Sequence, residues 1–262
     1  MRTKATTPTN KRSFAARLRS RIPLLAARPV LFFHIPKCGG STVTGYLHQQ
    51  YQPKQIFQID GQNPKQSIDE FQALSDAIRS KYRLVIGHAA HHLLDYVGDD
   101  WISMTVLRDP IDRVVSHYYY ACRDERHYLN RKIRDESIGL LEYVSRPLTP
   151  EVQNYHIGIL TGRSFDEVMS APQESIDMAF EFLVQRFQIV GFLDELSDAM
   201  SRVKKIARFH SEFENNRANK TEGRPKLKQI DPNVLREITA LNELDVQLFS
   251  RLRRHFKKDR RF

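Results

Sequence analysis

Lys37, Gly39, Gly40, Ser41 and Thr42 stand in the order that builds a cradle for an anion. Two glycines let backbone N–H groups turn towards one point, a helix N-terminus adds partial positive charge, and two hydroxyls donate hydrogen bonds. Lys37 adds a full charge. A phosphate loop of the kinase and NTPase type is the rival reading, and it needs Gly-x-x-x-x-Gly-Lys-Ser/Thr. Here Ser41 follows Gly40 directly, the lysine precedes both glycines, and position 34 is His. No acidic pair for magnesium stands out either, so a P-loop nucleotide kinase is only the alternative reading.

A second set of residues could also hold an anion. Arg108 ends an apolar run, and Asp109-Pro110 opens a helix with an N-cap and a proline at the first helical position. Ile111, Val114, Val115, Tyr118 and Tyr119 form its apolar face. Arg113, Ser116 and Tyr120 form a polar stripe on the other side. A guanidinium and a hydroxyl, Arg108 and Ser116, can hold one phosphate by charge-assisted bonds. A third group, Gly87-His88-Ala89-Ala90-His91-His92, follows another apolar run and supplies candidates for a general base. His88 comes first and lies nearest the strand end, with His91 and His92 three and four residues on. No cysteine or carboxylate stands at zinc-ligand spacing beside them, so no metal is expected. Cys38, at a helix N-terminus, is placed where a thiolate is favoured, but a small filler of the loop is the better reading. His34 suits packing or donor positioning. His117, Cys122 and Trp101 read as structural.

These groups need elements to hold them. Short apolar runs predict strands at Val30–Phe33, Gln55–Asp60, Leu84–Ile86, Ile102–Leu107 and Gln188–Gly191. Helical periodicity follows the glycine loop and recurs over 67–79, from Pro110, and over 137–145, 151–161, 173–186, 194–209 and 232–256. Strands alternating with helices predict an α/β fold of three layers, P-loop-like, with a central, mostly parallel sheet flanked by helices. In such sheets ligands bind beyond the carboxyl ends of the strands. All three groups lie at that edge.

The chain has 262 residues, 40% hydrophobic and 27% charged, with net charge +10 and two cysteines. That excludes a disordered chain and a disulfide scaffold. No apolar run is long enough to span a membrane. The charge is uneven: residues 1–29 carry eight Lys or Arg and no acid, and residues 251–262 carry seven and one acid. The stretch between them sums to −4, so the core is not a nucleic-acid binder. Residues 1–29 are expected to be a flexible basic tail, and 30–262 one domain with a basic end. The tails suit peripheral contact with an anionic membrane or polymer. A non-enzymatic binder of that kind is a further alternative. Residues 1–28 resemble a transit peptide in composition but not a secretory signal; the expected location is cytoplasmic. Oligomeric state is not legible.

Phe33-His34-Ile35-Pro36-Lys37-Cys38-Gly39-Gly40-Ser41-Thr42 resembles the 5′-phosphosulfate loop of the sulfotransferases, most of all the heparan and uronyl 2-O-sulfotransferase branch and its bacterial relatives. Val106 to Tyr118 resembles their 3′-phosphate motif. Weaker likenesses are Gln153-Asn154 with Leu160-Thr161-Gly162, which lacks the usual arginine, then Val190–Leu196, Asn219-Lys220-Thr221 and Asn242–Phe249. The resemblance implies 3′-phosphoadenosine 5′-phosphosulfate (PAPS) as donor, no metal, and a hydroxyl acceptor on a carbohydrate. It implies donor contacts from Lys37, Cys38, Gly39, Gly40, Ser41, Thr42, Arg108 and Ser116. Lys37 would meet the leaving oxygen and His88 would be the base, with His91, His92 and Asn154 on the acceptor side.

Overall fold

The computed structural model describes residues 26–146, 148–215 and 223–258. Five strands, β1 (Val30–Phe33), β2 (Ile56–Gln58), β3 (Leu84–Gly87), β4 (Ile102–Leu107) and β5 (Ile189–Phe192), form one sheet in the order β2-β3-β1-β4-β5. Every pairing is parallel. Phe33 at the end of β1 lies level with Gly87 and with Thr105, so the chain leaves β1, β3 and β4 along one edge. The Thr105 hydroxyl donates to the Phe33 carbonyl at 2.9 Å and pins β1 to β4 there.

The first helices are α1 (Gly40–His48), α2 (Pro64–Ala73), α3 (Asp76–Arg79), α4 (Pro110–Arg123), α5 (Asn130–Asp135) and α6 (Leu140–Ser145). They are followed by α7 (Tyr155–Thr161), α8 (Phe165–Ser170), α9 (Pro172–Arg186), α10 (Leu196–Ala207), α11 (Pro232–Leu241) and α12 (Glu243–Lys258). Alternate strand residues feed opposite layers. Val30, Phe32, Ile86, Met104 and Ile189 pack with α1 and α10. Phe33, Leu107, Val190 and Phe192 pack with α7, α9 and α12. Leu31 and Val85 meet Phe71 of α2. The expected three-layer α/β architecture is therefore present.

Several boundaries differ from expectation. The helix expected over 67–79 is two, because Leu74 turns extended (φ −66, ψ 145), and Ile78 is exposed. The helix expected over 151–161 is a short turn, Pro150–Val152, and then α7, parted by extended Gln153 and left-handed Asn154 (φ 40). The helix expected over 232–256 divides at Asn242. The domain begins before residue 30: Arg28 N–H donates to Ala207 O at 2.9 Å, and its guanidinium to Asp100 O at 2.8 Å. The basic C-terminal end is partly neutralised, since Arg251 pairs with Asp177, and Arg253 with Asp194 and Glu195. No described helix is long and apolar enough to cross a membrane.

Two of those breaks are one feature. Asn242 Oδ1 accepts from Asn154 N at 3.1 Å, and its amide donates to Val152 O and Ile238 O. In return Asn154 Oδ1 accepts from Leu244 N and Asp245 N, at 3.1 and 3.2 Å. Asp245, fully buried, accepts from His156 N and Ile157 N. The side chains take over backbone groups that continuous helices would have satisfied. Asn242→Ala leaves buried groups unpaired, so unfolding in urea is expected to show a loss of about 2–4 kcal/mol. The transition temperature should fall by roughly 5–15 °C; an unchanged transition would show that the latch carries no stability.

Candidate active site

The loop after β1 is shaped by three backbone constraints. Gly39 has φ +82, so its conformation favours glycine, and a Cβ there would push only the end of the Leu193 side chain, 2.4 Å away. Gly40 is needed for space alone: its Cβ would fall 1.7 Å from His34 Nε2. Lys37 itself is left-handed (φ 65), a conformation that costs a non-glycine residue about 1–2 kcal/mol. Strain of this size persists only where surrounding contacts enforce it. Here Arg108 Nη1 donates to the Lys37 carbonyl at 2.9 Å.

That bond joins the two motifs. Arg108 leaves β4 at the edge where Lys37 leaves β1, and its Nε donates to Asp112 Oδ2 at 2.6 Å. Asp112 also receives Arg224. Arg224 was not foreseen; it arrives from a distant stretch, and no local pattern marks it. Its Nε is buried without a partner among the described residues. Asp109 caps α4 as expected, accepting from Asp112 N at 3.0 Å. Ser116 is buried in α4. The expected polar stripe on α4 is a different structure. Arg113 is fully buried, donates to Glu151 O, and lies 4.5 Å from the Tyr155 ring centre. It points into the fold, away from an exposed phosphate surface.

The cradle has free donors. Helix α1 begins after Gly39 with no side-chain cap, so its first-turn N–H groups are not claimed by a side chain. Ser41 is exposed and Thr42 half-buried. The Lys37 ammonium lies 3.5 Å from the centre of the Tyr120 ring, and no carboxylate among the described residues pairs with it. Burial, then Arg108 and Arg123, push its pKa down to about 8, against an opposing pull from Glu151. Cys38 fills the loop, as the better of its two sequence readings expects. Its side chain is buried, with Sγ 3.7 Å from His156 Nε2, and burial pushes the thiol up to about 11. Desolvation outweighs the helix terminus, so Cys38 is a neutral thiol and offers a ligand only its backbone. Cys122, expected in the core, is exposed.

His88 stands at the edge next to this loop. Its Nδ1 lies 2.7 Å from the His34 carbonyl, which only accepts, so Nδ1 carries the proton and Nε2 keeps its lone pair. The His34 ring packs against His88, centroids 4.4 Å apart, and against Gly40 on its other side. Burial, then His88 and Lys37, lower the His34 pKa to about 3, so its ring is neutral. His91 and Asn154 do not face a ligand as expected. His91 turns onto Phe33 and Phe182, with ring centres 4.2 and 6.2 Å away, and burial holds it at about 3. Asn154 is spent in the latch. His92 is exposed and stacks on His91 at 4.0 Å.

Glu151 carries no motif, and it stands at the start of the helix expected over 151–161, where it reads as an ordinary first-turn acid. His117 Nε2 donates to Glu151 Oε2 at 3.1 Å, and the Tyr143 hydroxyl lies 2.6 Å from His117 Nδ1. The carboxylate fixes the proton on Nε2, so the tyrosine donates to Nδ1. Burial alone would raise the Glu151 pKa; the His117 hydrogen bond and electrostatic interaction with His117, Arg113 and His127 outweigh it and hold it low. Glu151 is thus an oriented carboxylate on the Lys37 side of the molecule. Among the described residues no group of three His, Cys, Asp or Glu is arranged to hold a metal.

A crystallised sulfotransferase from Alicyclobacillus acidocaldarius aligns with 18% identity and a TM-score of 0.47, over 86% of this chain and 96% of that one. No curated protein matches the chain. The sulfotransferase family model matches residues 26–250, from the strand before the glycine loop to the helix that bears Asp245. With that match across the sheet, the glycine loop and the Arg108–Ser116 segment, the chain belongs to the sulfotransferase family.

Proposed function

We propose that the protein transfers a sulfuryl group from PAPS to a hydroxyl of a carbohydrate acceptor. The observation that carries this reading is the Arg108–Lys37 hydrogen bond, which draws the glycine cradle and the Arg108–Ser116 segment into one anion site. A donor with phosphate groups at both ends suits that pair of clusters. The uncapped N-terminus of α1, Ser41, Thr42 and Lys37 would hold the 5′ end, and Arg108 and Ser116 the 3′-phosphate. The unpartnered Nε of Arg224 adds a donor on the Arg108 side.

Bound there, the donor supplies an activated sulfuryl group with a phosphate as leaving group. His88 Nε2 takes the acceptor proton, because Nδ1–H is already given to the His34 carbonyl. Lys37 meets the negative charge that grows on the leaving oxygen during in-line displacement. His92, exposed beside this edge, is kept as an acceptor contact. No metal has a part in the scheme. The proposed peripheral membrane contact of residues 1–29 falls mostly on residues 1–25, outside the described ones, as does the covering loop Asn219-Lys220-Thr221.

Calorimetry with adenosine 3′,5′-bisphosphate and transfer from labelled PAPS to a glycan panel test the reading. Lys37→Ala is expected to cut the transfer rate about 10²–10³-fold, and His88→Ala about 10²–10⁴-fold. Arg108→Ala should mainly weaken bisphosphate binding, by about tenfold or more. Absence of bisphosphate binding by the parent protein would overturn the donor assignment. The pH profile has a defined sign. Lys37 is charged below about pH 8 and loses its proton as pH rises through that value. Donor kcat/KM, which reports the free enzyme, should therefore decline above about pH 8, and Lys37→Arg should abolish that limb. A parent profile that stays level through the alkaline range removes Lys37 from the leaving-oxygen role.

A further inference from the structure

Beyond Lys37 the structure continues into a row of rings. The ammonium lies over Tyr120, the Tyr120 ring meets His127 edge-on at 5.4 Å, and His127 stacks on Tyr128 at 4.6 Å and 26°. Tyr128 is 64% exposed, the most open large apolar side chain described. It is nonetheless held in place. His127 backs one face, and its hydroxyl donates to Thr149 Oγ1 at 2.7 Å. His127 is fixed in turn, accepting from Leu129 N on Nδ1. An aromatic ring with one face supported, its edge tethered and its other face open is a stacking surface.

Glu151 stands beside it. Oε2 is occupied by His117, whereas Oε1 has only a 3.5 Å contact with the Tyr128 hydroxyl, whose proton goes to Thr149. One oxygen of an ionised, oriented carboxylate is therefore left as a hydrogen-bond acceptor at the edge of the open ring. The basic groups near it have other duties. Arg113 serves the Glu151 carbonyl, Arg126 pairs with Asp124, and Lys37 and Arg123 border the donor cradle.

We propose that Tyr128 and Glu151 form the subsite for an uncharged sugar ring, stacked on Tyr128 with its hydroxyls donating to Glu151. Apolar ring hydrogens pack on an aromatic face, and hydroxyl donors suit a carboxylate acceptor. A uronate placed there would set its carboxylate against Glu151. The inference rests on the proposed carbohydrate reading and narrows it: selection at this subsite is for neutral rings, not for acidic ones. Tyr128 and Glu151 are specificity residues in this scheme, and proton transfer stays with His88.

Ligand-observed saturation-transfer NMR on the full chain tests this, with methyl glycosides of glucose, galactose and N-acetylglucosamine and with methyl glucuronide. Titrations are run with and without adenosine 3′,5′-bisphosphate. At least one neutral glycoside should bind, and the glucuronide about tenfold more weakly or not at all. Tyr128→Ala should weaken neutral binding about tenfold while Tyr128→Phe stays near the parent, since the stacking face survives. Glu151→Gln should narrow the gap between neutral and acidic sugars. Equal binding of neutral sugars by Tyr128→Ala and the parent overturns the inference, as does glucuronide binding as tight as that of the neutral rings. So does bisphosphate binding without any neutral glycoside. Sugar binding without bisphosphate binding would strike the donor reading alone.

Discussion

The site depends on one guanidinium. Arg108 donates to the Lys37 carbonyl and to Asp112, so it spans from the end of β4 to the loop after β1. The bond does two things at once. It helps hold Lys37 left-handed, against a conformational cost of about 1–2 kcal/mol, and it sets the distance between the two anion-binding segments. Strand order makes this contact available. β1 and β4 are neighbours, yet the chain goes from β1 to β2 on one side and from β4 to β5 on the other. Connections that diverge from adjacent strands leave a crevice at their carboxyl ends. Arg108 stands at that crevice, half-buried, where its charge is only partly screened by water.

A second coupling runs through His34. Its carbonyl fixes the tautomer of His88, and its ring is wedged between His88 and the Cα of Gly40. The residue that begins the glycine loop thus also orients the proton acceptor. Gly40 is required for this reason, not for its backbone angles. A methyl group there would displace His34, and His88 would lose its stacking partner. The glycine loop and His88 are one packed unit, so their relative position is set before any ligand binds; under the proposed reading that is what an in-line displacement requires.

What was legible in the sequence was local chemistry. Asp109-Pro110 opens α4 at the expected residue, and the apolar runs at 30–33 and 102–107 are strands with those limits. Gly39 and Gly40 stand where a close turn needs them. Lys37, Arg108 and His88, expected at one sheet edge, are found there. What failed was long-range. Helices read as continuous over 151–161 and 232–256 are broken because Asn154 and Asn242 exchange bonds across about ninety residues, and periodicity carries no trace of a partner so far away. Arg113 failed in the same way: its place on the polar stripe suggested phosphate contact, and burial against the Glu151 turn reversed it. Ser164 to Glu167 is a different case: the capping box that starts α8 is written in the sequence and was simply not read.

The acceptor side was the least legible part, for a physical reason. A donor of fixed structure demands a fixed set of charges, and those fall into short motifs on one loop and one helix start. An acceptor is met by whatever side chains the surrounding loops bring forward. In the proposed subsite these are Tyr128 from the segment after α4 and Glu151 from the turn before α7, which His117 and Tyr143 from two further helices hold. Each reads as unremarkable alone. The Tyr143–His117–Glu151 chain still requires an explanation, because keeping a half-buried carboxylate ionised has a cost without a use for its charge. A structural ion pair would satisfy both carboxylate oxygens from within. Glu151 satisfies one and leaves the other towards the open ring of Tyr128, which is the arrangement expected of a group whose second partner arrives from outside.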